Sequence, residues 1–205
     1  MIHTRMKEDF ASRFTLDNTH ILRKEAIKVL GVWVGEDPSC WNKNTKEIIK
    51  RSYANMSLLS KLKYAGLSRQ KLINIYCLFI RSSGEYCSVV WHENLTIAQS
   101  NAIERIQVVA LKIIHGKDFP RKEDGHCDYI ELLRLCNLSS LFERRNKLML
   151  SFGKKCIAHP TLKRIFPLST EDVHNVRNHE IFHVNHTRTS AYQNSAIPAA
   201  AKSTF

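Results

Sequence analysis

The apolar residues keep one spacing up to Glu36-Asp37-Pro38 and another after it. Before the break they alternate, as a half-buried strand requires; after Trp41 they recur every three or four positions, as one face of a helix requires. Pro38 lacks the N–H that a sheet ladder needs, so it closes the strand region. Residues 11–21, "ASRFTLDNTHI", give two short strand-like runs around an Asp17-Asn18 turn, and Lys28 to Val34, "KVLGVWV", gives a third with Gly31 at its centre. A glycine inside a strand marks a bend or the close approach of something to the backbone. The fold expected is mainly α: a short N-terminal antiparallel β meander, then a helical bundle, then a poorly ordered C-terminal tail.

The helices are delimited by their ends. Ile49, Tyr53, Met56 and Leu59 share one face of a first helix that stops near Gly66, with Lys43, Lys46, Lys50 and Lys61 on the adjoining face. Ser68 is placed to cap a second helix running to Trp91, apolar on most faces and therefore central. Thr96 and Gln99 form a capping-box pair before a third, with Ile103, Ile106, Ala110 and Ile113 on one side and Gly116 as its C-terminal cap. Short connections between three helices favour an antiparallel bundle. Two further helices are expected at about 128–136 and 140–158, the latter ended by Pro160. The expected organisation is thus strands over 1–40, a three-helix bundle over 41–116, two helices over 117–164 and a tail over 165–205.

With 31 Lys and Arg against 19 Asp and Glu, the chain carries +12, which points to a polyanionic partner. Between residues 42 and 81 nine basic residues face Glu47 alone, and over 143–164 Arg144, Arg145, Lys147, Lys154, Lys155, Lys163 and Arg164 face Glu143. Such one-signed density suits a phosphate-facing surface. The opening residues show no signal-peptide pattern, and the most apolar run, "LINIYCLFI", is too short to cross a bilayer. An intracellular chain, nuclear or cytoplasmic, without a membrane is therefore expected, with its six cysteines reduced and the four Asn-x-Ser/Thr matches unused.

The sequence offers little catalytic chemistry. The acidic pairs Glu8-Asp9, Glu36-Asp37, Glu123-Asp124 and Glu171-Asp172 all adjoin turns, where carboxylates cap backbone amides. There is no phosphate-binding glycine loop and no nucleophile elbow. Cys156 with His159 lacks a third, orienting group, and His174, His179, His183 and His186 lack the cysteine or carboxylate company of a metal site. Trp33, Trp41 and Trp91 suit packing better than base stacking. No catalytic residue, metal or cofactor is expected.

Several blocks in order carry a resemblance: "MIHTRMKEDFASRFTLDNTH", "KVLGVWVGEDPSCWNKNTKEI", "LLSKLKYAGLS", "IYCLFIRSSGEYCSVVWHENLTIAQSNAIERIQ", "LKIIHG", "LSSLFERRNKLMLSFGKKCIAHP" and "YQNSAIP". Together they resemble the last third of the reverse transcriptase of jockey-like non-LTR retrotransposons. The resemblance implies that Lys28 to Val34 belong to the hairpin gripping the primer end beside the palm, with Gly31 letting the backbone approach nucleic acid. It implies that the helices after Trp41 are the thumb. The family's catalytic aspartates precede the block matching residue 1, so what is implied is a truncated fragment that binds without polymerising. The expected partner is an RNA–DNA or DNA duplex held sequence-independently. The residues expected to hold it are Lys28, Gly31, Lys43, Lys46, Lys50, Arg51, Lys61, Lys63, Arg144 and Arg145. Rival readings are a thumb that completes a polymerase in trans with separately encoded palm and fingers, and a helical scaffold for protein partners.

Overall fold

A computed structural model of the chain describes residues 15–20, 24–37, 39–165 and 189–203. The fold is mainly helical, with antiparallel strands at its N-terminal side. Those strands make two separate hairpins, not one meander. Strand β1 (Thr15–Leu16) pairs with β2 (Thr19–His20), and the Asp17-Asn18 turn between them has φ of 48° and 59°, the left-handed geometry of a type I′ connection.

The stretch "KVLGVWV", expected as one strand, folds back on itself. Strand β3 (Ala26–Val29) pairs with β4 (Val32–Gly35), Val29 opposite Val32, so Leu30 and Gly31 are a two-residue loop. Both have positive φ, 45° and 89°. Gly31 takes that conformation at little cost, whereas Leu30 is strained in it. Tyr86 compensates: its hydroxyl donates to Leu30 O at 2.8 Å, and its ring edge lies 3.2 Å from where a Gly31 Cβ would be.

Helix α1 (Asn42–Tyr64) buries Thr45, Ile48, Ser52, Met56 and Leu59, a stripe at helical spacing. Tyr53, expected on that stripe, is exposed instead. The second helix is interrupted where the sequence suggested continuity. Helix α2 (Arg69–Ile75) widens into a π-helical turn over Tyr76–Arg81 and resumes as α3 (Ser82–Glu85). Cys87 then takes φ of 51°, breaking the helix before α4 (Ser88–Trp91) and a 3-10 turn over His92–Asn94. Helix α5 (Ile97–His115) opens with the expected capping box: Thr96 Oγ1 accepts from Gln99 N at 3.2 Å and Gln99 Oε1 accepts from Thr96 N at 2.8 Å. It closes on Gly116, φ 70°.

Helices α1 and α5 run parallel, with the α2–α4 segment returning between them. Gln99 Nε2 donates to Asn42 Oδ1 (2.7 Å) where both helices begin, and Lys63 Nζ donates to Ile113 O (2.6 Å) where both end. Their shared core holds Leu59, Leu72, Tyr76, Ile80, Trp91, Ile103, Ile106 and Leu111, none more than 1% exposed. Truncating one such leucine or isoleucine to Ala costs about 3 kcal/mol.

Helix α6 (Tyr129–Leu135) starts at Asp128, whose Oδ1 accepts from Glu131 N, and α7 (Leu141–Ala158) starts at Ser140, whose Oγ accepts from Glu143 N. The tail expected over 165–205 lies mostly outside the described residues, but its last part has order the sequence did not suggest. Helices α8 (Ser190–Gln193) and α9 (Ala196–Ser203) return to the body, and Ala199 is buried in a second cluster with Met149 and Cys156 of α7.

Candidate nucleic-acid interface

The outer face of α1 carries Lys43, Lys46, Lys50 and Lys61, all exposed. Their spacings of three, four, seven and eleven put them within about a quarter turn of one another, opposite the buried stripe. At 1.5 Å rise per residue the row is about 27 Å long, close to eight base-pair steps of duplex. The hairpin extends it: Lys28 is the cross-strand partner of Trp33, and the Lys43 ammonium lies 3.9 Å from the centre of the Trp33 ring. Trp33 is also tied to α1, its N–H donating to Asn44 Oδ1 at 3.3 Å. A cation over an indole face is held in place yet keeps its outer hydrogens for an anion. Lys28, Lys43, Lys46, Lys50 and Lys61 thus form one side of the molecule.

The remaining expected contacts separate from this row. Arg51 is exposed but turned toward the hairpin, lining a small pit with Gly31, Trp33 and Tyr86. Gly31 makes its close approach to Tyr86, which explains the glycine without nucleic acid. Lys63 is half-buried, its ammonium capping the carbonyl of Ile113. Arg144 is paired with Glu85, Nη2 to Oε2 at 3.0 Å with Nε on the other oxygen, and Arg81 approaches the same carboxylate at 3.5 Å.

Arg145 is the clearest correction. It is 0% exposed. Its Nε donates to His92 Nδ1 at 3.1 Å and its Nη2 to Ser100 Oγ at 3.0 Å, while Nη1 has no partner among the described residues. Burial pushes its pKa down from the usual arginine value, and the nearby Glu104 and Glu85 carboxylates oppose that shift. A lone-pair acceptor at Nδ1 fixes the His92 tautomer, so Nε2 carries the hydrogen and donates to Asn146 Oδ1 at 2.6 Å. Burial, with the adjacent guanidinium, holds His92 below its ordinary value. Arg144 and Arg145 therefore act as struts of the helical body: Arg145 has no exposed surface with which to meet a phosphate, and Arg144 is engaged by Glu85. The missed signal was the spacing of Leu141, Arg145, Met149 and Cys156, which puts Arg145 on the core face of α7.

A second polar network, not foreseen from the sequence, crosses the core. Tyr76 donates to Gln107 Oε1 (2.6 Å); Gln107 Nε2 donates to the Tyr129 hydroxyl (2.9 Å) and to Ser139 O (3.0 Å); Tyr129 in turn donates to Glu104. Glu104 also accepts from the backbone amides of Leu141 (2.9 Å) and Phe142 (3.0 Å), neutralising the start of α7. Burial and the Glu104 carboxylate push the Tyr129 hydroxyl far above the tyrosine range, so it stays a donor.

Two carboxylates of the candidate acidic pairs serve turns: Asp37 accepts from Ser39 N and Oγ, which lowers its pKa, and Asp124 accepts from His126 N. The pairs at 8–9 and 171–172 and the histidines from 174 to 186 lie outside the described residues. Cys156 is buried and its thiol pushed up by desolvation, while His159 accepts the amides of Thr161 and Leu162, so the two do not pair. Trp41 and Trp91 are core residues. Among the described residues no three His, Cys, Asp or Glu converge on a metal position, and no helix is long and apolar enough to cross a membrane. Compared with protein-family models, curated proteins and solved structures, the chain finds no match.

Proposed function

We propose that this chain binds nucleic-acid duplex through its backbone phosphates, as the thumb-side fragment of a reverse transcriptase of the jockey-like non-LTR kind, without catalysing polymerisation itself. The observation that carries the reading is the lysine row of α1, extended by Lys28 beside Trp33: five exposed cations on one side of the molecule. Ammonium groups on flexible stems contact phosphate oxygens without reading base edges, so affinity would be sequence-independent and strongly salt-dependent. The succession of antiparallel hairpins and then an up-down-up set of helices is in keeping with the primer-grip and thumb arrangement that the resemblance implies.

The test is equilibrium binding to RNA–DNA and DNA duplexes across a salt series. Changing Lys43, Lys46 and Lys50 together to Glu is expected to weaken binding on every duplex sequence alike and to flatten the slope of log K against log salt by about 2.7, or 0.9 per lost contact. A salt-independent affinity, or one untouched by the triple change, overturns the reading.

A further inference from the structure

Between the start of α5 and the start of α7 lies a cleft of about 500 Å³. Its character differs from the lysine row: the charged groups on its lining are Glu93 and Glu104, and its walls include Leu95, Phe142 and the ring of Tyr129. Phe142 is 51% exposed, with its backbone fixed and its ring backed by a buried neighbour. Its amide donates to Glu104 Oε2 at 3.0 Å, and its ring meets the buried His92 edge-to-face, centroids 5.3 Å apart at 70°. His92 is itself immobilised by Arg145 and Asn146. An aromatic ring mounted this firmly with half its surface outward is a stacking platform whose ordering cost is met by the fold.

The polar groups around the platform define what can stack there. Glu104 Oε1 is filled by Tyr129 and Leu141, whereas among the described residues Oε2 accepts from Phe142 alone and keeps one acceptor site. Ser100 Oγ accepts from Arg145, leaving its hydrogen to donate, and the Asn101 amide stands beside it on the lining. The cleft therefore offers a flat apolar surface, carboxylate acceptors and a hydroxyl donor, in the volume range of about 300–1,000 Å³ that small ligands occupy. Two carboxylates repel a phosphate.

We propose that this cleft binds an amino-bearing planar heterocycle of the adenine or cytosine class, stacked on Phe142 with its exocyclic amine on the Glu104 and Glu93 carboxylates. The ligand is either a free nucleoside or an unpaired base of a bound strand whose phosphodiesters stay outside the cleft, away from the two carboxylates; the chemistry of the base is the same. The site is independent of the lysine row and stands or falls separately from the duplex reading.

The experiment is titration of the full chain with adenosine, cytidine, uridine and AMP at high salt, followed by calorimetry and amide NMR. Adenosine and cytidine are expected to saturate, with shifts at residues 95–101 and 140–142, and uridine and AMP to bind about tenfold more weakly. Phe142→Ala is expected to weaken adenosine about tenfold, Phe142→Trp to preserve it, and Lys43→Glu/Lys46→Glu/Lys50→Glu to leave it unchanged. Competition by a hairpin with one unpaired adenine, but not by the fully paired hairpin, assigns the ligand to a strand; competition by neither assigns it to a free nucleoside. Equal binding of uridine and adenosine, retained affinity in a folded Phe142→Ala variant, or no saturable shift at millimolar adenosine overturns the proposal.

Discussion

Helices α1 and α7 both carry dense positive charge in the sequence, and the two arginines of α7 are used in the opposite way to the lysine row of α1. On α1 Lys43, Lys46, Lys50 and Lys61 point outward along one row, and the stripe facing the core holds Thr45, Ile48, Ser52, Met56 and Leu59. On α7 Arg145 points inward to His92 and Ser100, and Arg144 closes on Glu85. Residue chemistry explains the division. A lysine ammonium is compact and strongly hydrated, hence costly to bury; a guanidinium is more weakly hydrated and has five donors in a fixed plane, so neighbouring acceptors can repay part of its lost hydration. Local charge density marks a helix as basic, but only its register against the apolar stripe says which cations face solvent.

The contrast is sharpest in stability. Arg145→Ala is expected to lower the unfolding free energy by about 3 kcal/mol, because it strips donors from His92 and Ser100 and leaves a hole, with the salt slope of duplex binding unchanged. Denaturant unfolding measures the first and duplex titration the second; a stable Arg145→Ala variant with a shallower slope would make α7 a second phosphate face. Glu104→Ala is expected to cost about 2 kcal/mol, since two amides at the start of α7 and the Tyr129 hydroxyl lose their acceptor. A finer comparison lies within α1. Lys63→Met is expected to cost about 1 kcal/mol by uncapping Ile113 O while leaving the slope alone, whereas Lys61→Met is expected to change stability by under about 0.5 kcal/mol and flatten the slope by about 0.9.

The smallest effect concerns pH. His92 is held below its ordinary value of 6.5 chiefly by burial, so the folded state disfavours the proton. As pH falls through 6.5 the unfolded chain takes up a proton that the folded chain refuses, and stability declines until the folded imidazole also titrates. Denaturation midpoints between pH 7 and 5 should fall, and His92→Gln should flatten the decline. His115, likewise lowered by burial, contributes with the same sign and leaves a residual slope.

Much of the framework was legible because its signals are local. Thr96 with Gln99, Gly116 after His115 and the Asp17-Asn18 turn each act within a few residues, and each element lies where those residues put it. What escaped was set by distant partners. Alternation through "KVLGVWV" is compatible with one strand or with two about a tight turn, and Leu30-Gly31 lacks the Asn or Asp that advertises a type I′ loop; the hydroxyl that steadies it belongs to Tyr86, 56 positions on. The π-helical turn at Tyr76–Arg81 has no comparable local mark, and Tyr76 at its start is anchored across the core on Gln107. At the candidate interface, helical spacing groups Lys43, Lys46, Lys50 and Lys61 on one exposed face, while charge alone did not show that Lys63, Arg144 and Arg145 have partners within the protein.

The β3–β4 hairpin is fastened to the helices at two points, Tyr86 to Leu30 and Asn44 to Trp33. A ribbon pinned in this manner holds its backbone against α1, so the points from which the flexible lysine stems of both elements spring keep a set spacing, like teeth on a rack. Under the proposed duplex reading, a phosphate polymer would meet a backbone frame already in place, so that docking would cost little of the protein's own freedom.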